Sequence, residues 1–258
     1  MLRNKVVLLT GASRGLGKTL AEALLKEGCI VYSGVRNVTQ APKGTIPIKL
    51  DLSSEENIKT GANEFIAKSK KIDILIHNAG VSYYGPPDTF TLEEAHDQFQ
   101  VNFFAPFQLT QLLLPLMRKE KQGRILFISS YRTVANYAYL GMYSASKSAL
   151  EMIAFDWAVL LAKWNIKVSV IQPGPLNTNI NLIPGTFYQK KNNPYLPYGT
   201  SPIEFQETKD ACNEILRNIK ANKPDFRVQT SKASREHVAK YLKDQNADLL
   251  IKDQNHII

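Results

Sequence analysis

Cysteine is scarce in this chain: Cys29 and Cys212 are the two in 258 residues. That count argues against a disulfide framework and fits a reducing compartment. Long hydrophobic runs are absent too. The N-terminus enters KVVLLTGAS directly, and its apolar stretch ends in a glycine turn, too short for a signal peptide or a membrane span. The expectation is a cytoplasmic protein with no membrane span. Histidine numbers four, and His96, His237 and His256 show no metal-ligand spacing, so no metal is expected and surface or tail positions suit them. No internal repeat, low-complexity tract or linker divides the sequence, and residues 1–258 read as one domain.

What is present is ordinary for a globular protein, with 44% hydrophobic and 21% charged residues. The net charge is +9. Nucleic acid would attract such a chain, but its Lys and Arg are spread rather than packed into a run. An anionic cofactor, an acidic carrier protein or simple solubility explains the charge equally well. Apolar runs rich in Val, Ile and Leu predict strands at Lys5–Thr10, Ile30–Val35, Ile46–Leu50, Ile72–His77, Arg124–Ser129 and Val168–Ile171. They lack clean alternation, as strands buried on both faces do. Helical patterns lie between them at Gly15–Glu27, Glu55–Ser69, Leu92–Lys119 (broken near Asn102) and Tyr143–Trp164. This alternation predicts an α/β fold, a Rossmann-type doubly wound parallel sheet flanked by helices. Residues 177–201, rich in Pro, Gly, Asn and aromatics, read as a substrate lid that includes Tyr188.

The first strand ends in TGASRGLG, Thr10 to Gly17. Gly11, Gly15 and Gly17, with Ser13 and Leu16 between them, suit a tight turn where backbone meets a pyrophosphate at a helix N-terminus. The second strand ends in VYSGVRN, where an NAD site would carry a carboxylate for the ribose hydroxyl. Arg36 stands there instead, and Arg14 lies in the glycine turn. Two guanidiniums suit a 2′-phosphate, which points to NADP(H) over NAD(H). Farther on, YSASK places Tyr143 and Lys147 on one helix face. An ammonium near a phenol favours the phenolate and brings its pKa toward neutrality. A YxxxK pair alone is equally well a decorated amphipathic helix.

Taken in order, these motifs resemble the short-chain dehydrogenase/reductase family over residues 5 to about 178. LDLSS supplies Asp51 and Leu52, where the family contacts adenine. HNAG, with Asn78, Ala79 and Gly80, matches the family's Asn-Asn-Ala-Gly apart from His77, whose ring is expected to do the structural work of an amide. Asn102 stands where the family has its catalytic asparagine, and Ser130 precedes Tyr143 by thirteen residues. PGPLNT, with Pro173, Gly174 and Thr178, is similar to the segment that holds the nicotinamide. The resemblance implies that Tyr143 exchanges a proton with a carbonyl or alcohol oxygen and that Ser130 orients that oxygen. It implies that Lys147 holds the nicotinamide ribose and, with the oxidised ring, lowers Tyr143. Asn102 would anchor a water chain.

Two segments depart from the family pattern. Between Ser130 and Tyr143 the chain carries bulky residues, and Tyr131 and Arg132 there border the substrate cleft. Arg132 could grip a carboxylate or phosphate, or equally point to solvent or pair with a carbonyl. The C-terminal region has PDFRVQTS and a charged helical pattern in place of the Asp-Gly-Gly ending of ketoacyl reductases. With VYSGVRN, it is similar to the NADP-preferring hydroxysteroid/retinol dehydrogenase branch. The expectation is an NADP(H)-dependent oxidoreductase acting on an apolar ketone, aldehyde or alcohol. The family's default is a homodimer or homotetramer built on the helices Phe103–Lys119 and Tyr143–Trp164. A ketoacyl-thioester reductase working on a carrier protein is the rival enzyme, and a non-catalytic NADP(H)-binding sensor is the rival of another class.

Overall fold

Val6 and Leu8 enter one hydrophobic cluster while Val7 and Leu9 enter another. Successive residues of a strand point to opposite faces, so this first strand must lie between two layers. The computed structural model describes residues 2–134, 136–178, 183–184 and 205–254. In order the chain runs β1 (Val6–Thr10), α1 (Gly15–Lys26), β2 (Ile30–Val35), β3 (Ile46–Lys49), α2 (Glu55–Lys68) and β4 (Ile74–His77). Then come β5 (Tyr83–Tyr84), α3 (Leu92–Phe99), α4 (Ala105–Glu120), β6 (Gly123–Ile128), α5 (Gly141–Leu160) and β7 (Ile166–Gln172). The last elements are β8 (Ile183–Pro184), α6 (Thr208–Lys220), β9 (Arg227–Gln229), α7 (Lys232–Tyr241) and α8 (Asp248–Gln254).

Seven parallel strands form one sheet in the order β3-β2-β1-β4-β6-β7-β9. Helices α2, α4 and α5 cover one face through Phe65, Leu109, Leu113, Leu150 and Ala154. On the other face α1 and α6 bury Leu20, Leu24, Ile215 and Ile219. The doubly wound sheet predicted from the sequence is therefore present, with strand ends shifted by up to two residues. Among the elements that were not expected from the pattern are α6, the seventh strand β9 at the sheet edge, the short pair β5 and β8, and α8. Among the described residues no helix is long and apolar enough to cross a membrane.

The predicted break near Asn102 takes a specific form. Residues Gln100–Phe104 make a π turn, in which Ala105 N–H donates to the Gln100 carbonyl rather than one residue later. Pro106, just inside α4, has no N–H to give the Asn102 carbonyl, so an uninterrupted α register is closed to this sequence. The wider turn presses the Asn102 side chain inward, where it is fully buried.

Candidate active site

The sheet changes winding direction between β1 and β4, and a crevice opens beyond the C-terminal ends of those strands. The cleft there has a volume of about 490 Å³. At one end lies the glycine turn. Gly11 has φ +68° and Gly15 +52°, a region costly for side-chain-bearing residues. A Cβ on Gly11 would stand 2.8 Å from the Ala79 Cα, and one on Gly17 would overlap the Gly11 carbonyl oxygen. Arg14 caps α1 without a side-chain hydrogen bond, and the first turn of α1 carries no acidic residue. The free N–H groups and positive end of the helix are thus left for an anion. A dinucleotide pyrophosphate fits this cradle, whose walls leave room for backbone alone.

The other residues expected from the sequence to hold a cofactor line the same cleft: Ser13, Arg14, Leu16, Arg36, Asp51, Leu52, Asn78, Ala79, Gly80, Pro173, Gly174 and Thr178. Arg14 and Arg36 are exposed at its rim, and Val35 precedes Arg36 with no carboxylate at the strand end. Asn78 fastens the turn by donating from Nδ2 to the carbonyls of Thr10 (3.0 Å) and Gly11 (3.2 Å). Thr10 Oγ1 accepts from the N–H groups of Asn78 and Ala79. Thr10 escaped the reading of the sequence, although its place at the end of β1 was a usable signal.

The far end of the cleft gathers Ser130, Tyr143 and Lys147. Ser130 lies just past β6, and its hydroxyl bonds the Tyr143 phenol while accepting from the Arg132 N–H at 3.2 Å. Lys147, one turn of α5 beyond Tyr143, is 3% exposed and donates to the Ile128 carbonyl at 2.8 Å. Burial pushes Tyr143 up to about 12, opposed by the Ser130 hydrogen bond and the Arg132 guanidinium. Burial likewise pushes Lys147 down to about 8, opposed by Glu151. A low-dielectric site penalises both charged forms, and the protein alone therefore holds Tyr143 protonated rather than lowered by its lysine.

Asn102 does not line the cleft but sits behind its wall. Its Oδ1 accepts from Val81 N–H, and Nδ2 donates to the Val81 carbonyl and to Ser146 Oγ, all within 3.0 Å. Ser146 in turn donates to the Tyr143 carbonyl at 2.7 Å. The amide thus ties the loop after β4 to the helix that carries Tyr143. His77 is buried, as a structural residue should be, but it packs into the core rather than bridging loops. It stacks on Phe127 at 4.8 Å and bonds Thr110 at 2.8 Å. Burial, with Lys147 adding to it, pushes this imidazole down to about 3.

Three further placements differ from, or add to, what the sequence offered. His237 is not a plain surface residue: its ring packs against Tyr131, Tyr137 and Tyr241. His96 is exposed, while Tyr188, most of the expected lid and His256 lie outside the described residues. Glu151, 3% exposed, was missed, though its position four residues after Lys147 placed it on the same helix face. Its carboxylate accepts from Ser129 Oγ (2.6 Å), Thr133 Oγ1 (2.8 Å) and Gln172 Nε2 (2.9 Å), and Arg227 Nε lies 3.4 Å away. Ser129 and Thr133 flank Ser130, so one buried carboxylate holds the strand end from which Ser130 projects.

Comparison with known proteins agrees with this geometry. Residues 5–182 match the short chain dehydrogenase family. The 3-ketodihydrosphingosine reductase of Bacteroides thetaiotaomicron is 34% identical over 177 residues, covering 69% of this chain and 66% of that protein. The NADPH-dependent 3-dehydrocapnine reductase of Ornithobacterium rhinotracheale is 33% identical, covering 68% of this chain and 67% of its own. The chain thus spans about two thirds of the length of these curated relatives. A crystal structure of a short-chain dehydrogenase from Streptomyces avermitilis superposes with a TM-score of 0.84 at 27% identity, covering 97% and 96% of the two chains. Sequence order, sheet topology and the cleft agree, and the chain belongs to the short-chain dehydrogenase family.

Proposed function

We propose that this protein is an NADP(H)-dependent oxidoreductase that interconverts a ketone or aldehyde with the corresponding alcohol. One observation carries the reading: Ser130, Tyr143 and Lys147 converge in a cleft whose other end is a backbone-only anion cradle. A bound nicotinamide dinucleotide would supply or accept the hydride. Gly11 to Gly17 would hold its pyrophosphate, Asp51 and Leu52 its adenine, and Asn78 to Gly80 the neighbouring ribose region. Lys147 would grip the nicotinamide ribose, with Pro173, Gly174 and Thr178 against the ring.

The chain's own groups then divide the proton chemistry between them. Tyr143, protonated up to about pH 12, is loaded as an acid and gives its proton to the carbonyl oxygen in reduction. Ser130 hydrogen-bonds that oxygen and orients it. In the oxidative direction the same phenol must first lose its proton, which the buried site resists. Two of the relatives are reductases by name, one of them NADPH-dependent, which supports the reaction class and the cofactor. Free, buried Cys29 and Cys212 suit a cytoplasmic setting. The test is NADPH oxidation by the purified protein over apolar ketones, aldehydes and acyl-thioester ketones. No turnover on any carbonyl class would overturn the reading.

The cofactor preference rests on Arg14 and Arg36. A charge-assisted hydrogen bond is worth roughly 1.5–3 kcal/mol. Arg36→Asp should therefore weaken NADPH binding about 10- to 150-fold and leave NADH binding little changed. Fluorescence titration with both nucleotides checks this, and equal loss of both would remove Arg36 from the 2′-phosphate site.

We further propose a homodimer or homotetramer built on α4 and α5. Helix α5 leaves Met152, Phe155, Val159 and Leu160 more than half exposed on its outer face, and Phe104 adds to the patch just before α4. Apolar patches of this kind mark protein contacts. Val159→Glu with Leu160→Lys should shift sedimentation velocity from oligomer toward monomer. An unchanged distribution would place the interface elsewhere.

A further inference from the structure

Arg132 lies in the wall of the cleft beside Ser130 and Tyr143, yet it is only 7% exposed. Its guanidinium carbon lies 3.5 Å from the ring centroid of Tyr137 and 4.4 Å from that of Tyr131. Nη1 is buried with no hydrogen-bond partner among the described residues. The guanidinium is surrounded by the phenols of Tyr131, Tyr137 and Tyr143, hydrogen-bonds that of Tyr131, and has no carboxylate paired with it among the described residues. A buried cation without a counter-charge is costly. Stacking on two phenols recovers part of that cost. It does nothing for an N–H held away from water. Two of the three sequence readings of Arg132 are thereby removed, since it neither points to solvent nor spends Nη1 on a backbone carbonyl.

We propose that Arg132 is the anchor for an oxyanion on the substrate, a carboxylate or phosphate borne by the same molecule whose carbonyl meets Ser130 and Tyr143. The inference rests on the proposed oxidoreductase function and narrows its substrate class. Nη1 is the donor left to fill, and a guanidinium fixed between two rings presents a rigid fork that an oxyanion can meet with two hydrogen bonds. Tyr131 and Tyr137 hold that fork, and His237 from α7 packs behind both rings. The C-terminal segment, where this chain leaves the ketoacyl-reductase pattern, thus buttresses the specificity residue. The ligand would be amphipathic, with an apolar body and one acidic group.

The test uses a series of oxodecanoic acids differing in the position of the ketone, each paired with its methyl ester, and the matching oxoalkyl phosphates. NADPH oxidation is followed for the unaltered protein and for Arg132→Met, with NADPH fluorescence as the check on fold. The acid of best ketone position should exceed its ester in kcat/KM by 10-fold or more, chiefly through KM. Arg132→Met should bring that ratio to about one, and Arg132→Lys should restore part of it. The phosphate arm distinguishes the two oxyanions. Acids and esters reduced equally well by the unaltered protein would overturn the anchor and leave the oxidoreductase reading standing. If no ketone turns over, calorimetry of decanoate binding to the NADP⁺ complex decides. Binding lost in Arg132→Met supports the anchor, no binding to the unaltered protein overturns it, and the aldehyde and acyl-thioester arms of the earlier panel then decide the enzyme reading separately.

Discussion

Tyr143→Phe is expected to lower turnover by about 10²- to 10⁴-fold, the range that a positioned general acid contributes, while NADPH still binds. The substitution keeps the ring in its partly buried place on α5 and removes a single oxygen. That oxygen carries the proton, since burial holds the phenol near 12, and it is the partner of the Ser130 hydroxyl. No other described group is placed to substitute. Lys147 is turned to the Ile128 carbonyl, and the Asn102 amide is spent on Val81 and Ser146. Single-turnover reduction of a responsive ketone measures the chemical step. A variant retaining more than a tenth of the rate would take the acid role away from Tyr143.

Gly17→Ala should cost both the fold and the cofactor. The new methyl would overlap the Gly11 carbonyl oxygen and lie 2.5 Å from Asn78 Nδ2. Both are fixed: Gly11 belongs to the turn, and Asn78 is tied to the carbonyls of Thr10 and Gly11. Overpacking of this kind costs roughly 1–3 kcal/mol, which for a chain of this size lowers Tm by about 2–4 °C per kcal/mol. The turn could yield only by opening away from the helix end that receives the pyrophosphate, so NADPH affinity should fall at least tenfold. Gly141→Ala is the comparison, because its nearest contacts lie at 3.9 and 4.0 Å and its backbone is unstrained. Calorimetric unfolding and NADPH titration of both variants suffice. Near-equal behaviour would show that the cradle is looser than its geometry implies.

The sheet was legible because its inner strands must satisfy two apolar layers at once, which leaves uninterrupted Val, Ile and Leu in the sequence. β9 was not, since Arg227 and Gln229 flank a single buried valine and look like loop. Helix α6 was overlooked although Ala211, Cys212, Ile215, Leu216 and Ile219 mark one face, because its remaining positions are polar. Every cofactor residue named from the sequence lies along one cleft, because the glycine turn and its neighbours act through local backbone shape that spacing records. What spacing could not record was depth. The YxxxK pair implied a lowered phenol, yet the dielectric around Tyr143 depends on β6, α5 and the Ser130–Tyr143 segment closing over it. Arg132 shows the same limit, since its burial comes from Tyr131 and Tyr137 folding onto it.

The carboxylate of Glu151 has a consequence for how such a protein could diversify. By gripping Ser129 and Thr133 on either side of Ser130, it fixes the segment from which the Ser130 hydroxyl projects. Under the proposed function, the stretch from Asn136 to Leu140, which lies between this fixed post and the start of α5, is where the choice of substrate can vary. New side chains grafted there would alter which molecules are admitted while the proton-transfer geometry stayed in register. In the proposed reading, substrate choice and chemistry would be separable inheritances of this chain, with Glu151 at their junction.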